Sequence, residues 1–439
     1  GEERGLVFYN NRYGDASGWV QLSAAYAVKD AGGNKTLVQK PLTEALGISN
    51  DNARYLLFRD SITGLEYIRN CRDLTERGLH VTLHAYQACV YVDFREVEDD
   101  AEHHYGLLHS QLGGQGVPSI DVALGELLMA PVLIPFRMLV SAPAFRWLVS
   151  YRAKAPEAVD AGMLAEVRQK ILDVVQGARI VLAKAMPSEA ASEEGAEVAA
   201  GVVSDLEADP GEVDAAIADR VVERLTWMLA LPDTLGGRAE MATSEPVAEA
   251  VRFLLRDWDG EDWARWGALF GWLFAHALGR LEDPSAHAAV SREWFDVWLL
   301  RKPVLRALED LGVAPEVCER AVAATRMLLS SPEWMFDEGA TTPAAADDLA
   351  TLMRRALSHR DVQAFLGVNR YEGVLWFNRE AFQAWLWWLP CIVALWAPAA
   401  DARLDDALAA AYMWVTQLQI AEETAGYQVD RLLDAIDAS

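Results

Sequence analysis

Residues 78–97 read GLHVTLHAYQACVYVDFREV, and their pattern decides the fold. Leu79, Val81, Leu83 and Ala85 alternate with His80, Thr82 and His84. Beyond a Tyr86–Gln87 corner, Val90, Val92 and Phe94 alternate with Cys89, Tyr91 and Asp93. A period of two predicts two half-buried strands. The sequence before this stretch is strand-like, and from Glu98 onward the period becomes helical. The expectation is an α+β chain: an N-terminal antiparallel β-sandwich over 1–97, then a large all-α region over 98–439.

Upstream, 6–9, 18–28, 35–39, 55–58 and 65–68 are candidate strands. Turn clusters separate them, among them Asn10-Asn11, Gly32-Gly33-Asn34 and Ser49-Asn50-Asp51-Asn52. With the two strands of the opening stretch this makes seven, spaced as in a sandwich or barrel. Downstream, helices are expected over 99–112, in short pieces across the proline-cut 120–151, and from Pro156 to about Met186. Residues 188–209 carry Glu189, Glu193, Glu194, Glu197, Asp205, Glu207 and Asp209 and read as an acidic, linker-like excursion. Asp209-Pro210 and Ser244-Glu245-Pro246 open the next helices by side-chain capping followed by proline in the first turn. Others follow from Trp263 and over 291–311, 315–330, 343–357, 378–397 and 401–436. Ser291 and Asn378 each precede Arg-Glu and a Phe-x-x-Trp-Leu echo, so both are expected to cap helices.

Of 439 residues, 52% are hydrophobic and 24% charged, which fits a globular chain of two or three domains at about 150 residues each. The net charge of −26 repels phosphates and anionic lipid surfaces, so nucleic acid and membrane are not expected partners. Residues 381–400 carry no charge, yet Pro390 and Gln383 interrupt them, and a buried core helix is expected rather than a membrane span. Cys71, Cys89, Cys318 and Cys391 lack zinc or CxxC spacing and read as reduced thiols of a cytoplasmic protein. No signal peptide opens the chain, and the missing initiator methionine is expected of a fragment or processed product. Fifteen of sixteen Trp lie after residue 100, as core rings or as a sugar-stacking surface.

Chemistry-bearing residues are few. His80, His84, His103, His104 and His109 cluster in sequence, but exposed histidines beside a capping acidic turn explain them better than a metal site. Asp257-Trp-Asp-Gly-Glu-Asp262 lacks the ligand spacing of a calcium loop. No nucleophile elbow, HExxH or phosphate loop occurs, so no catalytic residue, metal or cofactor is assigned. Tyr371-Glu-Gly-Val-Leu-Trp-Phe-Asn378 is the one aromatic cluster with neighbouring polar groups. Tyr371 and Trp376 are the substrate-binding candidates, as a pyranose-stacking platform, although core packing is the expected role of both. Phe377 is expected to staple onto Phe382 ahead of the capping Asn378.

Val7-Phe-Tyr-Asn-Asn-Arg-Tyr-Gly14, Gly18-Trp-Val20, Phe58-Arg-Asp-Ser-Ile-Thr-Gly-Leu-Glu-Tyr-Ile-Arg69 and residues 78–97 together resemble the region after the barrel in certain bacterial alpha-amylase-type glycoside hydrolases (family thirteen). The resemblance covers 5–97 and is one of style over 98–439. It implies a β-sandwich packed behind a catalytic (β/α)8 barrel that is absent from these residues, with α-glucan as substrate of the whole protein. No catalytic residue carries over. Arg59, Asp60, Glu66, Arg69 and Arg95 match the pattern and are expected to form ion pairs at the sandwich rim. The expected function is a non-catalytic C-terminal part of an α-glucan-active glycosidase. The alternatives are a carbohydrate-binding module using exposed Trp, and a helical interaction or scaffold protein.

Overall fold

A computed structural model describes residues 4–29, 33–185, 209–241, 244–256, 258, 261–336, 349–397 and 404–438. The acidic stretch 188–209 lies outside the described residues apart from Asp209. The chain is α+β and divides into two compact units, Gly1–Ala130 and Pro131–Ser439.

The first unit holds strands β1 (Leu6–Tyr9), β2 (Ala16–Val20), β3 (Tyr26–Lys29), β4 (Lys35–Val38), β5 (Arg54–Asp60), β6 (Glu66–Asn70), β7 (Leu79–Leu83) and β8 (Ala88–Glu98). Four short helices belong to it: α1 (Leu42–Leu46), α2 (Cys71–Arg77), α3 (His104–Leu112) and α4 (Ile120–Leu128). An antiparallel sheet has the order β1-β8-β5-β6, while β2 pairs with β7 and β3 with β4. Leu56 and Phe58 of β5 meet Leu79, Val81 and Leu83 of β7 in one core, with Leu42, Leu46, Cys71 and Leu74 from α1 and α2. Tyr55 and Leu57, on the other face of β5, pack with Ile68, Leu108 and Ile120. The central strand is therefore buried on both sides, which is why it reads as a nearly unbroken apolar run. The last strand ends at Glu98, helix α3 begins at His104 and not at 99 as expected, and the compact unit continues to Ala130 because α3 and α4 cover the second face of the sheet.

Three local features depart from the simple pattern. The expected strand 18–28 is two strands: β2 ends at Val20, and after Ser23 the chain turns to pair with β4. Helix α2 was not expected, yet its signals are local: Asn70 Oδ1 accepts from the amides of Arg72 (3.0 Å) and Asp73 (3.2 Å). Gly78 ends it at φ 85°, where a Cβ would overlap the Val20 carbonyl. The alternation predicted for β8 also breaks. Asp93 sits at φ 58° in a bulge between the partners of Leu57 and Arg59. The extra residue resets the period, so Phe94 joins Cys89 and Tyr91 on the core face instead of opposing them. Arg59 holds the bulge by donating to Asp93 Oδ2 from Nε (3.0 Å) and Nη2 (2.7 Å).

The second unit contains α5 (Ala130–Leu139), α6 (Ala142–Ser150), α7 (Ala161–Ala185), α8 (Pro210–Met241), α9 (Glu245–Leu255), α10 (Trp263–Ala275), α11 (His287–Val297), α12 (Arg301–Asp310), α13 (Pro315–Leu329), α14 (Ser331–Met335), α15 (Leu349–Ser358) and α16 (Arg360–Leu366). A hairpin, β9 (Asn369–Tyr371) and β10 (Val374–Trp376), then precedes α17 (Arg379–Trp396), α18 (Leu404–Ala425) and α19 (Val429–Asp437). Every residue from Trp266 to Ala275 of α10 is buried, as is the run from Trp385 to Leu395 of α17. No single helix among the described residues is long and apolar enough to cross a membrane; α4 and α5 meet that criterion only when taken together.

Of the two echoing helix starts, one behaves as expected. Asn378 Oδ1 accepts from the Ala381 amide at 2.8 Å, and Phe377 packs on Phe382 with ring centroids 4.9 Å apart. Ser291 is not a cap. Helix α11 begins a turn earlier at His287, and the buried Ser291 hydroxyl donates to the His276 carbonyl (3.0 Å) while accepting from the Gly279 amide (2.8 Å).

One buried ion network ties three helices of this unit. Arg292 of α11 binds Asp361 of α16 in a fork, Nε to Oδ2 at 2.7 Å and Nη2 to Oδ1 at 2.5 Å. Asp296 accepts from Arg292 Nη1 (2.7 Å) and from Arg326 of α13 at Nε (3.0 Å) and Nη2 (2.8 Å). Burial by itself would raise the Asp296 carboxyl, but the hydrogen bonds from Arg326 and Arg292 outweigh it and hold it below the usual carboxylate range. Asp361→Ala should cost about 3–5 kcal/mol in denaturant unfolding, because it strands a buried guanidinium. A loss under about 1 kcal/mol would mean the pair is dispensable. The depressed Asp296 value gives stability that is complete above about pH 4 and is lost as pH falls through the folded value. Asp296→Asn should accordingly flatten the acid limb of stability against pH.

Candidate functional site

The sequence candidates lie on the β9–β10 hairpin, which the sequence reading treated as a linker between helices. Glu372 (φ 50°) and Gly373 (φ 84°) form its two-residue turn, both left-handed as such a turn demands. Pairing sets Tyr371 opposite Val374 and Asn369 opposite Trp376, so Tyr371 and Trp376 share one face as diagonal neighbours. Their surroundings differ. Tyr371 is 64% exposed and is not a core residue, contrary to the expected packing role. Trp376 is half-buried, and its indole N–H is shielded from solvent without an acceptor. Beside the hairpin a cleft of about 550 Å³ is lined by Glu319, Arg320, Phe365, Asn369 and Asn378, and neither candidate aromatic faces into it.

Most tryptophans of the helical unit are interior groups. None of the fifteen after residue 100 is exposed, and Trp266, Trp272, Trp334 and Trp385 are fully buried. Several stack on one another, with Trp294 and Trp298 at 3.9 Å between centroids. Eleven of the fifteen are buried, and Trp147, Trp263, Trp376 and Trp396 are half-buried.

The exposed aromatics belong instead to the first unit. Trp19, 57% exposed, stands on the outer face of the β2–β7 ribbon, edge-on to His80 at 5.0 Å. All eight residues of the β3–β4 hairpin are exposed, with Tyr26, Val28 and Val38 on one face and Leu37, at 76%, on the other. A second group crowns the loops at the far end of β1. Asn10 is buried there, its Nδ2 donating to the carbonyls of Gly14 (2.7 Å) and His84 (3.1 Å). It thereby fixes the loops that display Tyr9, Tyr13 and Tyr86. Tyr86 is held at φ 57°. Of the twenty-one large hydrophobic side chains exposed among the described residues, eleven fall within the first 86. Exposed apolar side chains are thus concentrated in the β unit.

The five clustered histidines do not converge. His80 lies by Ser17 Oγ (3.3 Å), His84 by Asp15 (3.2 Å), His103 by Asp99 (3.4 Å), His104 by Asp100 (2.5 Å), and His109 against the Tyr55 ring. Among the described residues no three His, Cys, Asp or Glu side chains are arranged to hold a metal. Part of the Asp257–Asp262 stretch lies outside the described residues; Asp262 caps α10 by accepting from the Arg265 amide at 3.1 Å.

The rim ion pairs expected of five charged residues form at two of them. Arg59 pairs with Asp93, and Arg95 with Asp121 at 3.1 Å. The other three serve backbone. Asp60 accepts from the amides of Ile62 and Val90 (3.2 Å each), and Glu66 accepts from the Ile120 amide at 2.7 Å. Arg69 donates to the carbonyls of Ile68 and Gly114 (2.8 Å each) while lying over Tyr67.

Compared with protein-family models, with curated proteins and with solved structures, the chain matches none.

If Trp19 is the accessible tryptophan, Trp19→Phe should remove most of the fluorescence readily quenched by acrylamide. An undiminished quenchable fraction would place an exposed indole in the helical unit.

Proposed function

We propose that this chain is a non-catalytic part of an α-glucan-active glycoside hydrolase, and that its β unit docks a catalytic barrel of the parent protein. The observation that carries this reading is the exposed β3–β4 hairpin, with exposed Leu22 bridged to Pro41 just beyond β4 and exposed Trp19 on the β2–β7 ribbon of the same unit. A two-stranded hairpin exposed on both faces is marginally stable in water and gains stability when its apolar side is covered. The sequence resemblance of residues 5–97 to a post-barrel module names the occupant. The helical unit also exposes apolar pairs, Ile134 with Met138 one turn apart on α5 and Met413 with Ile420 two turns apart on α18, but fewer large apolar side chains for its length than the β unit, and so favours scaffolding less than the β unit favours docking. The four cysteines are buried free thiols, with Cys71 pushed up to about 11 by burial, which supports a reducing, cytoplasmic setting.

A second reading has its own support. Tyr9, Tyr13 and Tyr86 make an aromatic loop surface of the kind that stacks on glucan, so glucan contact would come from tyrosines of the β unit and not from helical tryptophans.

Two measurements test the leading reading. The purified chain should hydrolyse maltoheptaose no faster than buffer, and turnover above background would overturn its non-catalytic assignment. In hydrogen exchange, residues 26–38 should exchange rapidly in this chain and be protected in the parent protein; equal exchange in both would sink the docking role. For the second reading, retention on insoluble starch should be lost in Tyr13→Ala/Tyr86→Ala, and no retention of the unaltered chain would dismiss it.

A further inference from the structure

Arginines of the helical unit usually lie against carboxylates, as Arg168, Arg179, Arg238, Arg292, Arg326 and Arg354 do. A group at the junction of α8 with the short 3-10 turn Leu278–Leu281 does not. Arg220 and Arg224 are one turn apart on α8 and so share a face, and α8 packs against the turn that carries Arg280. Gly279 lets that turn lie close on α11, since a Cβ there would overlap the His287 carbonyl. Arg280 Nη2 and His287 Nε2 are 3.1 Å apart, and His287 Nδ1 is 3.2 Å from the Pro284 carbonyl. The imidazole therefore donates from Nδ1 and accepts from arginine at Nε2.

The remaining bonds are unevenly satisfied. Arg224 donates to the Leu395 carbonyl at the end of α17 and lies 5.3 Å over the Trp396 ring. Behind it, His276 is buried, stacked on Trp272 at 4.9 Å, with Nδ1 on the Leu273 carbonyl at 2.7 Å. Arg280 Nε is shielded from solvent and has no acceptor. Arg220 is exposed and without an ion pair among the described residues. Glu223 acts favourably on Arg224, and Asp283 on His287. Asp283 Oδ1 is already taken by the Ser285 amide and hydroxyl and the Ala286 amide.

We propose that Arg220, Arg224 and Arg280, backed by His287, form a binding site for a phosphate-sized oxyanion. Arg220 and Arg224 stand one turn apart on α8, which packs on the turn carrying Arg280, where one buried N–H lacks an acceptor, in a chain with 65 acidic residues that could have supplied a carboxylate. The planar donors of arginine match phosphate geometry in pairs. Electrostatics agrees: burial first, then the neighbouring cations, pushes Arg280 and His287 down from their ordinary values, and takes His276 down to about 3. A bound anion relieves that repulsion.

The ligand is either free phosphate or a phosphate monoester. The test is thermal unfolding of the 439-residue chain with inorganic phosphate titrated against sodium chloride at fixed ionic strength, and separately with glucose 1-phosphate. Phosphate should raise the melting temperature saturably, with an apparent Kd of millimolar or below, and Arg220→Ala should weaken it at least tenfold. Arg280→Gln should do the same; should that variant not fold, the exposed Arg220→Ala still decides. Glucose 1-phosphate binding tenfold tighter than phosphate would support the site and assign it to a phosphate monoester. Comparable binding would support it as a free-phosphate site. No saturable shift with either probe, or the same shift in Arg220→Ala, would overturn the proposal.

Discussion

The first unit depends on one strand being dry on both faces. β5 takes hydrogen bonds from β8 on one side and β6 on the other, while Leu56 and Phe58 face one core and Tyr55 and Leu57 another. A strand in that position has no solvent edge, so its register is fixed by burial and not by turns. The bulge at Asp93 follows from this demand. β8 spans eleven residues beside β5, and a regular strand would send Phe94 to the wrong core. The extra residue brings three side chains, Cys89, Tyr91 and Phe94, to the same face at the cost of one left-handed aspartate, which Arg59 holds by its side chain.

Much of this was readable in the sequence. The first strand of 78–97 alternates as its residues alternate: Leu79, Val81 and Leu83 are buried, and His80 and Thr82 are exposed. The end of the last strand at Glu98, the start at Pro210 and the Asn378 cap were legible because each rests on neighbours in the chain. The bulge was not, since its left-handed residue is aspartate and not the glycine that would announce it. Ser291 looked like a cap by composition, but the helix starts where Pro284–Ala286 turn, and its hydroxyl is used to join His276 and Gly279. The aromatic candidates failed differently. A Trp in sequence carries no mark of whether its neighbours in space will cover it, and at Trp376 they half do.

The surfaces, by contrast, were almost illegible. Val28, Leu37 and Val38 look like core residues of ordinary strands, and only tertiary placement shows that every residue of the two strands they belong to is exposed. The same holds for the arginines near the 3-10 turn. Arg220, Arg224 and Arg280 are up to 60 positions apart in the numbering of the chain, and no local pattern connects them. Both the proposed docking face and the proposed anion site are products of tertiary placement, which is why composition alone assigned this acidic chain no phosphate ligand. A net charge repels at long range, whereas a few desolvated guanidinium groups act within a few ångströms.

The uncovered hairpin also has a colloidal consequence. Two copies meeting through Tyr26, Val28 and Val38 would bury apolar surface, and their β3 and β4 edges offer unpaired backbone groups. What opposes this is the chain's own charge of −26, felt over a Debye length of about 8 Å at physiological salt. Lys29 and Lys35 face each other at the hairpin end and add a local cationic guard. Charge repulsion, more than a closed surface, is thus what opposes pairing of two such hairpins. Raising salt or protonating the carboxylates removes that repulsion while leaving the apolar face intact.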